Sequence, residues 1–301
     1  NGVAEYKVQA SKDSDTNGGE STVTKLVRTG DAGLQWGNIA QGTVYDFYAV
    51  YPSVSQLKES SASAAADGCS LTKEGILTGY LPTDQTCTDI SKVTGSNFLW
   101  SFSPEMNYAY MVAKSSYTVD SFDDEGAAFM DDPINLQFES LVTALQFQLR
   151  AGNLSLPNAT TNDDNKIEIV SVAVFSQSGQ QLAGDFEYDI AENATPGLVT
   201  KGNTSYSQVI QKFQDFPQPI TLNNDPSSAL DLTFFLLPSD DNYASGDLKL
   251  QVVYVIDGVT QIKTAKIGTD IPASVKRYIK DAVLTTHTTE VDASEWFQAL
   301  N

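Results

Sequence analysis

The sequence predicts an all-β protein built from two β-sandwiches, and three observations lead to this prediction. Apolar and polar residues alternate with a period of two in many short segments, and turn residues separate these segments. About seven such segments precede residue 152 and about seven follow it, which is the number of strands in a typical sandwich. The polar, turn-rich stretch at residues 151–165 predicts the boundary between them. We therefore expect one domain over residues 1–152 and a second over residues 153–301.

The pattern of apolar and polar residues distinguishes strands with one solvent-exposed face from strands that are buried on both faces. Residues 134–139 and 145–150 alternate, and the segment 134–150 predicts a strand with one face in contact with solvent. Residues 44–51 and 232–237 are apolar on both faces, so we expect strands that are buried on both sides.

A hairpin is predicted in the C-terminal half. Asp257 and Gly258 lie between two apolar segments and are typical of a two-residue type I′ turn. The return strand carries Lys263 and Lys266, and lysine is frequent at sheet edges because it discourages uncontrolled pairing. We therefore expect this strand at the edge of a sheet.

One segment conflicts with the all-β prediction. In residues 272–284 the apolar side chains recur with the spacing of a helix, and Pro272 suits a first helical turn. The apolar positions are Val275, Tyr278, Ile279, Ala282 and Val283. Taken alone, this pattern predicts a helix.

Composition and charge exclude several classes of function. Apolar residues make up 41% of the chain and charged residues 19%, which indicates a folded core and not a disordered chain. The 18 Lys and Arg residues are outnumbered by 38 Asp and Glu residues, and the formal net charge is −20. A surface this acidic repels phosphate groups, so we expect no nucleic-acid partner. Because the sequence begins at Asn1 and not at Met, we expect a trimmed or mature chain.

The chain contains two cysteines, Cys69 and Cys87, with no histidine beside them. This excludes a zinc site with four Cys or His ligands. The two thiols could form a disulfide, which requires an oxidising compartment such as a cell surface, or they could stay unpaired. The sequence leaves both alternatives open.

The sequence shows no convergent catalytic set, so we expect no enzyme, no metal and no cofactor. The only histidine, His287, lies among threonines, and no nucleophile elbow or phosphate-binding loop is present. Carboxylate pairs such as Asp123 and Asp124 lie in predicted loops, where solubility explains them better than glycoside hydrolysis. Residues 13–18 match the first half of a calcium loop, but Thr24 stands where a bidentate glutamate is needed. A hairpin loop is the alternative there.

The order and spacing of several segments resemble the fimbrillin family, the type V pilus subunits of Bacteroidales. The segments that carry the resemblance are residues 28–29, 36–37, 44–47, 108–111, 132–138, 141–145, 167–174, 184–186, 234–238, 277–278 and Trp296. The resemblance implies two tandem transthyretin-like β-sandwiches and a structural pilin that acts in adhesion. It also implies a lipoprotein precursor anchored in the outer membrane, which a trypsin-like or Arg-specific protease trims. The trimmed subunits would then polymerise into a fimbrium by strand exchange with like subunits.

The resemblance also suggests which residues act in assembly. It implies a strand at residues 277–285, in place of the helix that the periodicity predicts. Only three arginines occur, and Arg28 precedes a polar, glycine-containing stretch suited to proteolysis. We expect processing between Arg28 and Thr29, with residues 1–28 as a removable strand region that occupies a vacancy in a sandwich. The alternative is an ordinary surface arginine at the end of a strand.

The candidate donor strand is the C-terminal tail, residues 290–301. Its alternation and its apolar side chains suit an added strand, and the alternative is packing against its own domain. The anchoring residues are Val291, Trp296, Phe297 and Leu300. An adhesive role also implies a receptor on a host or on another bacterium. A monomeric glycan-binding surface lipoprotein is the alternative function, and two exposed tryptophans on one face would favour it.

Overall fold

The structure is a computed structural model, and most of the chain is described in it. The described residues are 4–10, 24–29, 40–54, 69–92, 99–119, 121–122, 128–129, 134–152, 154, 166–192, 200–216, 218–225, 228–238, 242–272 and 276–285. Twenty-one strands and one 3₁₀ helix, Met106–Tyr108, occur in these residues. The all-β prediction is therefore confirmed.

The strands are numbered in chain order. The first eleven are β1 Glu5–Ala10, β2 Thr24–Thr29, β3 Val44–Tyr51, β4 Ser70–Leu71, β5 Ile76–Leu81, β6 Cys87–Lys92, β7 Leu99–Pro104, β8 Met111–Thr118, β9 Ser121–Phe122, β10 Ala128–Phe129 and β11 Glu139–Ser140. The others are β12 Thr143–Gly152, β13 Lys166–Ser176, β14 Ala183–Asp189, β15 Thr200–Tyr206, β16 Gln208–Lys212, β17 Ile220–Asn223, β18 Ala229–Leu236, β19 Leu248–Ile256, β20 Val259–Lys266 and β21 Lys276–Thr285.

The larger hydrophobic core lies between two five-stranded sheets. One sheet has the order β21-β12-β18-β7-β6, and the other has the order β16-β13-β19-β20 with β17 also paired to β13. Alternate residues of these strands point into the core, among them Phe147, Val172, Phe234 and Tyr254, all nearly or fully buried. Burial of such apolar side chains between two sheets is what stabilises a β-sandwich.

The smaller core lies between a three-stranded sheet, β11-β8-β3, and a four-stranded sheet, β15-β14-β5-β4. Leu77, Tyr110, Leu141 and Phe186 are buried in it. The rings of Tyr110 and Phe186 meet edge to face, with centroids 4.9 Å apart, which is a favoured aromatic geometry.

Strands from the two halves of the sequence share sheets. β14 pairs with β5, and β7 pairs with β18, so both pairings join residues on opposite sides of residue 152. β18 also contributes to both cores, because Phe234 faces the larger core and Phe235 faces the smaller one. The division at residues 152 and 153 stays a prediction.

The predicted hairpin is confirmed. β19 and β20 pair in a regular antiparallel ladder, and Ile256 lies opposite Val259 across the turn. Asp257 and Gly258 both have positive φ, 50° and 75°, as a type I′ turn requires. β20 is the terminal strand of its sheet, as its lysines predicted.

Burial on both faces was predicted correctly for one strand and wrongly for another. β18 is central in its sheet and nearly all of its residues are buried. β3 instead lies at the end of its sheet, where β8 is its only partner among the described strands, and most of its residues are half-buried. Apolar composition alone does not distinguish a central strand from an edge strand whose face is covered.

Two further expectations are corrected by the backbone. Residues 134–138 belong to no strand, and Phe138 is 38% exposed, so the predicted continuous strand over residues 134–150 is divided into β11 and β12. Residues 276–285 form β21, the strand that the resemblance implied, and not the helix that periodicity predicts. β21 pairs in parallel with β12, and Ala282 is buried, so tertiary pairing overrides the helical periodicity.

Candidate functional site

Arg28 and Thr29 lie at the end of a two-stranded sheet formed by β1 and β2. Arg28 is opposite Tyr6, and the Thr29 hydroxyl donates to the Glu5 carbonyl at 3.0 Å. Arg28 is exposed, and so are Tyr6 (41%) and Val27 (40%). A protease that recognises arginine could therefore reach this side chain.

Within the described residues, β1 and β2 pair with each other and with no strand of the sandwich sheets. The expectation that residues 1–28 fill a vacancy in a sandwich sheet is therefore not met by these two strands. Cutting after Arg28 would remove β1 together with all but the last residue of β2, and no ladder of the two sandwiches would be broken.

A second exposed strand is β20. In a two-residue hairpin the residues flanking the turn, here Ile256 and Val259, form a hydrogen-bonded pair, and such pairs recur at every second residue. Val259 and each second residue after it therefore direct their backbone groups toward β19. The intervening residues direct their N–H and C=O groups to the open edge. They are Thr260, Ile262, Thr264 and Lys266.

β20 exposes apolar and basic side chains alongside threonine and glutamine. Ile262 is 60% exposed and Val259 is 54% exposed, and Lys266 is exposed opposite Lys249 of β19. Residues 248–266 contain three lysines and one aspartate, although the whole chain has a net charge of −20. β20 is thus a basic edge on an acidic protein.

The edge of β18 is closed by side chains in place of a strand. β7 pairs only with Ala229, Leu230 and Asp231, so the backbone groups of Thr233 and Phe235 have no strand beside them on that side. Gln211 Nε2 donates to the Thr233 carbonyl at 2.7 Å. Gln85 Nε2 donates to the Phe235 carbonyl at 2.6 Å, and Gln85 Oε1 accepts from Phe235 N–H at 2.9 Å.

Both glutamines are buried, with exposed fractions of 2% for Gln85 and 3% for Gln211. Sequence reasoning did not single them out, because nothing in their local pattern predicts a partner 150 residues away for Gln85. A polar residue that precedes the strand β6 was the only signal, and it is a weak one.

The candidate disulfide between Cys69 and Cys87 is not formed in the structure. Cys69 lies in the smaller core, whereas Cys87 packs against the larger one, so the two thiols belong to different cores. Burial raises the pKa of the Cys87 thiol to about 11. Cys87 therefore acts as a small, partly buried apolar residue.

The described residues hold no group of three or more His, Cys, Asp or Glu side chains that could bind a metal ion. Burial also raises the pKa of the Tyr110 and Tyr243 hydroxyls far above the usual range, so both stay protonated at neutral pH.

Three predicted features lie outside the described residues. They are His287, the possible calcium loop at residues 13–18 and the tail with Val291, Trp296, Phe297 and Leu300.

Among the described residues, no helix has the length and apolar character to cross a membrane.

Comparisons with known proteins find likeness only among solved structures. No family model matches the chain, and no curated protein matches it. A "putative cell adhesion protein" from Bacteroides uniformis is 14% identical, with 89% of this chain and 77% of that chain covered and a TM-score of 0.47. Proteins of the same description from Bacteroides ovatus and Bacteroides fragilis are each 11% identical. They cover 85% and 96% of this chain and 69% and 75% of their own chains, with TM-scores of 0.39 and 0.38.

Proposed function

We propose that the chain is a structural, fimbrillin-like subunit of a cell-surface fimbria, acting in adhesion. An Arg-specific or trypsin-like protease would remove residues 1–28, and like subunits would then join by strand addition. One observation carries this proposal. β1 and β2 form a separate two-stranded sheet with Arg28 exposed at its end, so these two strands can leave without breaking a ladder of the described sandwich sheets.

Strand addition would hold the cleaved subunits together. A strand that is added to an open sheet edge gains ladder hydrogen bonds and buries alternate side chains. Because the donating segment and the receiving edge differ, the contact is heterologous and propagates as a filament. The tail at residues 290–301 is the proposed donor, and the subunit would reach the surface as an outer-membrane lipoprotein.

The proposal is tested by treating the full chain with an Arg-specific protease and following higher-order ladders by electrophoresis and negative-stain microscopy. We expect a new N-terminus at Thr29 by mass spectrometry, followed by ladders and filaments. Arg28→Ala should prevent both the cleavage and the ladders, whereas the matched control Lys25→Ala, on the same strand, should prevent neither.

Deletion of residues 290–301 should abolish the ladders while the cleavage at Arg28 persists. Ladders that form equally well without the tail would contradict its role as the donor. A cleaved protein that stays monomeric and binds glycans on an array would instead favour the monomeric glycan-binding alternative.

A further inference from the structure

We propose that the open edge of β20 receives residues 290–300 of a second copy as an added antiparallel strand. The inference rests on the proposed function, since it names the surface on which the donor tail lands. Three properties support it: the backbone of β20, the spacing of charges on the two segments, and the match of their apolar side chains.

The backbone of β20 suits strand addition. Its eight residues pair with β19 without a bulge, and at the opposite edge no described strand pairs with it. Thr260, Ile262, Thr264 and Lys266 direct their backbone groups to this edge. An edge this regular, with exposed β-branched side chains, is a ready template for another strand.

The charges of the two segments are complementary. Residues 290–300 contain three acidic residues and no basic one, and β20 contains two lysines and no acidic residue. The lysines, Lys263 and Lys266, are three residues apart, and so are Asp292 and Glu295. Opposite charges that face each other across two strands stabilise the pair, and like charges destabilise it.

Only one antiparallel register places both lysines opposite acidic residues. In this register Lys266 faces Asp292, and Lys263 faces Glu295. A shift of two residues in either direction removes at least one of these pairs. The sequence of the tail thus selects a single alignment on β20.

The same register pairs the most exposed apolar side chain of β20 with a tryptophan. Ile262, 60% exposed, faces Trp296, and Thr264 faces Ser294. Aromatic and β-branched side chains form favourable cross-strand pairs. Ile262 and Trp296 lie on the face that also carries the Lys266 and Asp292 pair, so the apolar and charged contacts reinforce each other.

The lysines also explain how this edge avoids unwanted partners. Lysine on an edge strand opposes pairing with neutral or basic strands, because its charge would be desolvated or repelled. An acidic strand removes that obstacle, so the edge selects its partner by charge. Two copies of β20 would bring their lysines together, which disfavours pairing of this edge with itself.

The first test uses the full chain with cysteines introduced on the proposed partners. After cleavage, a copy with Ile262→Cys mixed with a copy with Trp296→Cys should form a disulfide-linked dimer under mild oxidation. Directly opposite residues of a hydrogen-bonded pair lie about 5.5 Å apart between Cα atoms, which a disulfide can span. The control pair, Gln261→Cys with Trp296→Cys, should not cross-link, because residue 261 projects to the opposite face. Equal cross-linking of the control would overturn the register.

The same cysteines distinguish a second copy from the tail of the same chain. A chain that carries both Ile262→Cys and Trp296→Cys should form linked oligomers whose yield rises with protein concentration. A monomer closed by an internal disulfide, with a yield independent of concentration, would overturn the proposal of a second copy.

The second test reverses the charges. Lys263→Glu with Lys266→Glu should lower ladder formation about tenfold, and so should Asp292→Lys with Glu295→Lys. A chain with all four changes should assemble again, because each pair regains opposite charges. If all three variants form ladders as the unchanged chain does, β20 is not the receiving edge.

The outcomes separate this inference from the proposed function. Ladders that require the tail but ignore the β20 charges would overturn the inference and leave the proposed function standing. Absence of ladders from the cleaved, unchanged chain would count against the proposed function itself. The cysteine test would then decide the inference by cross-linking alone.

Discussion

The side-chain amide of Gln85 takes the place of a neighbouring strand for Phe235. It makes the two hydrogen bonds that an adjacent strand would make, one to the Phe235 carbonyl at 2.6 Å and one from the Phe235 N–H at 2.9 Å. The backbone of Gln85 meanwhile pairs with β16, where its N–H donates to the Ile210 carbonyl at 2.8 Å. Gln85 therefore joins the two sheets of the larger sandwich at the point where β7 leaves β18.

Gln85→Leu should lower the free energy of unfolding by about 2–4 kcal/mol. The substitution replaces the amide with an apolar side chain of similar size and leaves two buried backbone groups of Phe235 without partners, each worth about 1–3 kcal/mol. Urea denaturation of both chains measures the difference. Gln137→Leu, at an exposed position, is the control and should change the free energy by less than about 0.5 kcal/mol. Equal stability of the two variants would contradict the role assigned to Gln85.

Gly184 should tolerate a methyl group less well than Gly179. Both have positive φ, 111° and 80°, where residues other than glycine are strained by about 1–2 kcal/mol. A Cβ on Gly184 would also lie 2.1 Å from the Thr204 carbonyl oxygen, a backbone atom of β15, whereas a Cβ on Gly179 meets nothing within 4 Å.

We therefore expect Gly184→Ala to lower the free energy of unfolding by more than about 3 kcal/mol and Gly179→Ala by about 1 kcal/mol. Thermal unfolding followed by circular dichroism compares the two variants directly. A Gly184→Ala protein as stable as Gly179→Ala would mean that β14 and β15 are not this close.

The Cys87 thiol should react slowly with alkylating reagents in the folded protein. Its pKa is about 11 against an ordinary value of 9.0, because burial disfavours the charged thiolate. A shift of this size reduces the thiolate fraction at pH 8 about a hundredfold, and the thiolate is the reactive form.

Iodoacetamide labelling read by mass spectrometry should therefore be slow at pH 8 and should accelerate as the pH rises toward 11. Because burial raises the pKa of Cys87, the folded state favours the neutral thiol. The contribution of this thiol to the free energy of unfolding is therefore fully present below pH 9, and it is lost as the pH rises through the folded pKa. Cys87→Ala identifies the labelled site. Rapid labelling of Cys87 at pH 8 in the native protein would contradict the burial.

How far the fold could be predicted from the sequence depended on whether the decisive contacts are local. The hairpin at Asp257 and Gly258 was predictable, because its turn chemistry lies within two residues. Periodicity did not predict β21, since its helical pattern is overridden by pairing with β12, more than 100 residues earlier, and only the family resemblance implied a strand there. The edge position of β3 and the role of Gln85 also depend on distant partners. The exposure of Arg28 was predicted from a polar neighbourhood, but the pairing of β2 with β1 was not.

Removal of residues 1–28 should leave the stability of the sandwiches nearly unchanged. β1 and β2 share no ladder with the described sandwich sheets, and a two-stranded sheet is at best marginally stable in water. We expect the free energy of unfolding of a chain that begins at Thr29 to differ by less than about 1 kcal/mol from that of the full chain. Urea denaturation at one protein concentration, below that at which ladders form, measures both.

Removal of residues 276–301 is the opposite case. β21 pairs with β12 over most of its length and buries Ala282, so its loss exposes the edge of β12 and part of the larger core. This chain should unfold at a clearly lower urea concentration than the full chain. If the chain beginning at Thr29 were destabilised as strongly, residues 1–28 would be an integral part of a sandwich. Their proteolytic removal could then not precede assembly without unfolding the subunit.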